Sequence, residues 1–320
     1  MVRSRGTART AIAMAAVVLA VGATAAVASP DEHVGRAERA ERTGRAERAA
    51  VEAPAMALPG AHGFVSGLDL ECFDTPGPAL NLQLQVAQLD PGLLELGLGR
   101  HDATVRELVQ TCAPVQKNGA SPHPAALPFL RQIGLACYRL DAAPLAASIP
   151  LRLGHLNPEL ATLPAYTVSL IQPVQLCVPV ARNGAASAPD VRRLIQFIAL
   201  ECYAIDPGAQ PSFGVRLEQL DPALADIPKH QTTLVPTPGQ VCVAVRKNDQ
   251  EIPADVLAIV RWIELERFTA SPAVTVSPVA SVLGHLDPLL TTLPRTQVVL
   301  QQASAVMTPV FEHGEAPPPP

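Results

Sequence analysis

The sequence predicts a mainly β protein with short helices, built as four tandem repeats of about 65 residues whose disulfide-stapled β modules pack against one another. Three observations predict it. Cys72-Phe73, Cys137-Tyr138 and Cys202-Tyr203 recur every 65 residues, and the next step reaches Arg267-Phe268. Cys112, Cys177 and Cys242 keep the same spacing, with Met307 at the next step. Between these positions, stretches such as Val215 to Leu220 alternate apolar and polar side chains, the signature of a half-buried strand.

Composition narrows the function classes. Of 320 residues, 48% are hydrophobic and 17% charged, more apolar than a mostly disordered chain. Lys and Arg number 24 against 29 Asp and Glu, a net charge of -5 that argues against nucleic-acid binding. With 1 Trp and 3 Tyr, little is left for stacking on sugars or bases.

In chain order, residues 1–28 are expected to form a signal peptide. Arg3, Arg5 and Arg9 precede an uncharged Ala- and Val-rich stretch that closes on Ala26-Val27-Ala28, making Ser29 the expected new N-terminus. Residues 29–62 read as a charged low-complexity spacer, because its Arg-Ala-Glu triplets have no apolar face to dock. Repeats one to three are placed at 63–128, 129–193 and 194–258. A degenerate, cysteine-free repeat four follows at 259–313, then a proline tail at 314–320. Uncharged runs such as Leu160 to Ala181 are broken by Pro164, Pro173 and Pro179, so no membrane span is expected after cleavage.

Within a repeat, Phe197 to Ile205 reads as a strand ending at Asp206-Pro207-Gly208, after a short helix at Asp190 to Gln196. Asp221-Pro222 reads as a helix start, with Asp as N-cap, Pro at the first helical position and room for a turn or two before Pro228. Its counterparts are Asp90-Pro91, Asn157-Pro158 and Asp287-Pro288. Gln240 to Val245 reads as a strand that a polar turn follows, and Lys117-Asn118-Gly119, Arg182-Asn183-Gly184 and Lys247-Asn248-Asp249 recur at that place. The segment Gly154 to Pro164 closely matches Gly284 to Pro294, whereas Gln88 and Gln219 stand where these have His155 and His285. A two-repeat unit that was duplicated explains this.

Export would oxidise the 6 cysteines, which allow fifteen full pairings. Repeat four lacks both of its cysteines, as expected if the two of each repeat bond together. Cys72–Cys112, Cys137–Cys177 and Cys202–Cys242 are therefore the expected bonds. No Cys-x-x-Cys pair suggests zinc.

Cys-Tyr in one strand followed by Leu176-Cys177-Val178-Pro179-Val180-Ala181-Arg182-Asn183-Gly184 resembles a family of secreted bacterial tandem modules of unknown function, which carry Leu-Cys-x-Pro-Val-x-Lys-Asn-Gly. The resemblance spans roughly Val65 to Arg267. Repeat one departs with Cys72-Phe73 and Thr111-Cys112-Ala113-Pro114-Val115, and repeat four keeps only the framework. The resemblance implies a mainly β exported module and supplies no catalytic residues.

No catalytic, cofactor-binding or metal-ligating set is expected. His155 and His285 alternate with glutamine at their repeat position, so a polar packing or surface role is favoured over a base or ligand. His62, His101, His123 and His230 have no partner at motif spacing. Asp90, Asp221 and Asp287 exchange with Asn157, which favours capping over carboxylate or calcium chemistry. The expected role is an exported, non-enzymatic structural or interaction protein of the envelope or extracellular space, with another protein there as partner. The alternatives are a secreted hydrolase using His101, Asp226 and His230 between repeats, and a weak carbohydrate-binding module.

Overall fold

The computed structural model describes residues 56–319, so the expected signal peptide and all of the spacer up to residue 55 lie outside the described residues. The chain is mainly β. Its 11 strands are β1 (Leu70–Asp74), β2 (Ala79–Gln88), β3 (His101–Lys117), β4 (Leu135–Ala142), β5 (Ile149–His155), β6 (Tyr166–Arg182), β7 (Leu200–Asp206), β8 (Phe213–Gln219), β9 (His230–Lys247), β10 (Glu264–His285) and β11 (Thr296–Glu312). Short helices separate them: α1 (Ala61–Val65), α2 (Pro91–Glu95), α3 (Leu127–Leu130), α4 (Pro189–Ile195) and α5 (Ala254–Val260). No helix among the described residues is long and apolar enough to cross a membrane.

Following the ladders from β1 through β3, β4, β6, β7, β9, β10 and β11 leads back to β1, with every pairing antiparallel. The sheet therefore closes into a barrel and leaves no edge on this circuit. Register repeats around it. Cys72 faces Cys112, Cys137 faces Cys177, Cys202 faces Cys242, and Arg267 faces Met307. The three cysteine pairs are disulfide-bonded at a sequence separation of 40, and no described cysteine is free.

Side chains two residues apart on a strand share a face, so Leu70 and Cys72, Leu135 and Cys137, Leu200 and Cys202 point together into one cluster. Because strand direction alternates around the ring, β1, β4, β7 and β10 run the same way and begin at the same mouth. The helices that precede them, α1, α3, α4 and α5, gather there and bury Phe64, Phe129, Leu194 and Ile259 on the disulfide cluster.

The long strands β3, β6, β9 and β11 do two jobs. Their C-terminal halves line the barrel, while their N-terminal halves also pair with the outlying arms β2, β5, β8 and the far end of β10. Each arm then crosses to a long strand distant in sequence, β2 to β9, β5 to β11, β8 to β3 and the far end of β10 to β6. Val86 meets Lys247, Leu153 meets Glu312, Leu217 meets Lys117, and Leu283 meets Arg182. The polar turns explain the crossing. Asn118, Asn183 and Asn248 adopt φ of 50°, 52° and 46°, and each side-chain oxygen accepts the backbone N–H of Arg216, Val282 or Gln85 on the arm beside it.

Two sequence expectations need correction. Phe197 to Ala199 is a turn closing α4, and the strand begins only at Leu200. Short apolar runs do not distinguish a strand from a helix end buried in a core. The spacer expected to reach residue 62 instead ends in packed structure, since α1 starts at Ala61 and buries it. Among the described residues of the proline tail none lies in a helix or strand, and Pro317 is buried.

Candidate functional site: the charged corners of the barrel

Four polar corners ring the helix-capped mouth. At each, the Asx-Pro motif does more than cap. One side-chain oxygen accepts a local backbone N–H, from Leu93 to Asp90, Glu159 to Asn157, Ala223 to Asp221 and Leu289 to Asp287. The second polar atom of the same side chain turns to the end of a barrel strand.

At the first corner, Lys117 Nζ lies 2.7 Å from Asp69 Oδ1, and Asn157 donates to the other Asp69 oxygen. At the second, Arg182 Nη1 is 2.6 Å from Asp221 Oδ2, and its other nitrogen donates to the carbonyl of Cys112 at 3.0 Å. Gly134 makes room, because a Cβ there would stand 3.2 Å from the guanidinium. At the third, Lys247 Nζ is 2.7 Å from Asp287 Oδ2, with both side chains almost wholly buried. Burial pushes the Lys117 and Lys247 ammonium groups down and the Asp69 carboxyl up, and the charge of each partner opposes the shift. Cavities of about 340 and 560 Å³ open over the first two corners.

The fourth corner departs. Glu312 occupies the register of the three cations, and Glu264 and Asp90 stand beside it. Burial, then the Glu312 and Asp90 charges, raise Glu264 well above the usual carboxylate range. Burial and Asp90 push Glu312 up to about 8.

A second set of polar groups links segments across the ring. His101 Nε2 meets Glu201 Oε1 at 2.8 Å, while Gln88 and Tyr203 donate to Glu201 Oε2 at 2.9 and 2.7 Å. In the matching place His230 Nε2 meets Glu71 Oε1 at 2.7 Å, and Gln219 donates to Glu71 Oε2. Tyr166 donates to Glu266 in the third such place. The hydrogen bonds to Glu201 and Glu71 raise His101 and His230. His155 packs among Tyr166, Phe213 and Phe268, where burial and then the Lys117 charge push it down to about 4.

The residues weighed for a hydrolase are thus distributed. His101 and His230 belong to separate glutamate pairs, and Asp226 lies exposed on a turn. Motif reading passed over the charged partners Asp69, Glu71, Glu201, Glu264, Glu266 and Glu312. Their signal was present: Glu71, Glu201 and Glu266 each precede a cysteine position, and Glu312 stands 65 residues after Lys247.

His155 makes a pH prediction. Its depressed pKa means the folded state refuses a proton that the unfolded chain accepts near pH 6.5. That stability is present above pH 6.5 and is lost as pH falls towards about 4. His155→Gln, which copies Gln88 and Gln219, is expected to lose about 3 kcal/mol less than the unmodified protein over that interval. Denaturant melts at a series of pH values measure it, and parallel losses in both proteins would exclude the buried neutral imidazole.

Comparison with known proteins shows no similar one: no family model matches the sequence, and neither curated proteins nor solved structures give a match.

Proposed function

We propose that this chain is an exported, non-enzymatic structural or protein-interaction scaffold, made of four repeated β units closed into one ring. One observation carries the reading. Polar groups that could have served chemistry are spent on each other at register-equivalent places, as His101 with Glu201 and His230 with Glu71. A catalytic site needs a base and a reacting group to converge on one open space, and these histidines are fastened to different glutamates. Three disulfides at the heart of the barrel suit an oxidising compartment. The resemblance to secreted tandem modules points the same way and rests on its motifs alone.

Expression of the full chain in a bacterial host tests the proposal. The expected product lies outside the cytoplasm, begins at Ser29 and contains intact disulfides. Photo-crosslinking of that product to intact cells should trap an envelope or extracellular protein. Ester, amide and glycoside substrates should be turned over no faster than by the His101→Gln and His230→Gln variants. Retention of the product in the cytoplasm, or turnover lost in either variant, would refute the proposal.

A further inference from the structure

We propose that Asp90, Glu264 and Glu312 form a binding site for a single hard divalent cation with the oxygen preference of Ca²⁺. One carboxylate oxygen from each residue lies within 4.8 Å of the others. Oxygens held about 2.3–2.6 Å from one Ca²⁺ span such a spread. The three side chains are buried, with residue exposures of 4%, 5% and 4%.

Two independent observations point to a ligand. Both Glu312 carboxylate oxygens are buried without a hydrogen-bond partner, although the side chain reaches into the cluster. Its polar neighbour Asp90 is another carboxyl group. Crowding carboxyls in a buried place is costly, and no described Lys, Arg or His forms an ion pair with any of the three. The other corners supply the second observation. At the register of Glu312 they place Lys117, Arg182 and Lys247, each with a nitrogen 2.6–2.7 Å from a carboxylate oxygen. The architecture therefore has room for positive charge at this position, and here alone the chain provides a third carboxylate instead.

Gly92 keeps the space open. A Cβ at that residue would come within 2.8 Å of Glu312 Oε1 and 3.1 Å of Asp90 Oδ1. The corresponding residues of the other corners are Glu159, Ala223 and Leu289. Three carboxylates offer up to six oxygens, the donor type that Ca²⁺ takes with water completing the shell. A divalent ion offsets the charge of ionised carboxylates more fully than a monovalent one, and its binding draws the carboxyls into their ionised form with release of protons.

The test uses the full chain stripped with EDTA, titrated calorimetrically with Ca²⁺ and melted with and without it. The expected result is one bound Ca²⁺ with a Kd of about 10⁻³ M or tighter. Tm should rise by about 5 °C when Ca²⁺ is about a hundredfold above Kd. Glu312→Lys, which restores the cation of the other corners, should weaken Ca²⁺ binding about a hundredfold or more and make Tm indifferent to Ca²⁺. The double variant Glu264→Ala, Glu312→Lys copies Ala199 and Lys247 of the third corner. It serves the same purpose if the single variant does not fold. The proposal is overturned if the unmodified protein binds no Ca²⁺ up to about 10 mM, or if a folded lysine variant binds it undiminished.

Discussion

Lys247→Met is expected to destabilise the fold by about 3–5 kcal/mol, because it removes the charge that Asp287 needs. Asp287 is fully buried, and its Oδ2 lies 2.7 Å from the Lys247 nitrogen. Its Oδ1 continues to accept the Leu289 N–H, so the carboxylate stays fixed in place with half its valence unanswered. The pair itself need not be strongly stabilising, since burying both ions costs much of what their attraction returns. The asymmetry between breaking the pair and never having it gives the decisive control. Lys247→Met combined with Asp287→Asn leaves a neutral amide, the residue type that Asn157 supplies at the first corner. It is expected to recover more than half of the loss. Urea titrations of the three proteins measure this, and a single variant within about 1 kcal/mol of the parent would show that the ion pair does not hold the corner.

The second large effect concerns the covalent staples. Replacing Cys202 and Cys242 together by Ala is expected to cost about 4 kcal/mol, the chain-entropy value for a loop of this length. The bonded residues are 40 apart, and they face each other directly on β7 and β9. Arg267 and Met307 hold the equivalent facing positions on β10 and β11 without a bond. The geometry of the ladder therefore survives without a disulfide, and the loss should appear mainly as a gain in freedom of the unfolded chain. The variant should keep native near-UV circular dichroism while its denaturation midpoint falls. Unchanged stability would mean that the ring pairings already supply the constraint.

Local chemistry was readable in advance. The alternation beginning at Val215 lies in strand β8 up to Gln219, and Asp221 caps the 3₁₀ turn Pro222–Leu224 with its own carboxylate. Disulfide bonding and strand-rich character were likewise legible, because cysteine spacing, alternation and turn residues are properties of short stretches of chain. The apolar run at Phe197 and Ile198 resembles a strand for the same reason, although its burial comes from packing with α4 in the disulfide cluster.

By itself, then, the sequence determined the strand-rich character, the cysteine spacing and the capped and polar turns. Only the tertiary structure decided that the sheet closes on itself, that arms such as β2 cross to strands as distant as β9, and that Asp90 meets Glu264 and Glu312. The physical reason is that backbone ladders carry no partner code: any strand can satisfy any other's N–H and C=O groups. Partners are selected by the combined burial of the whole barrel. A carboxylate that caps its own turn thus gives no local sign of the charge waiting on a strand at the other end of the chain.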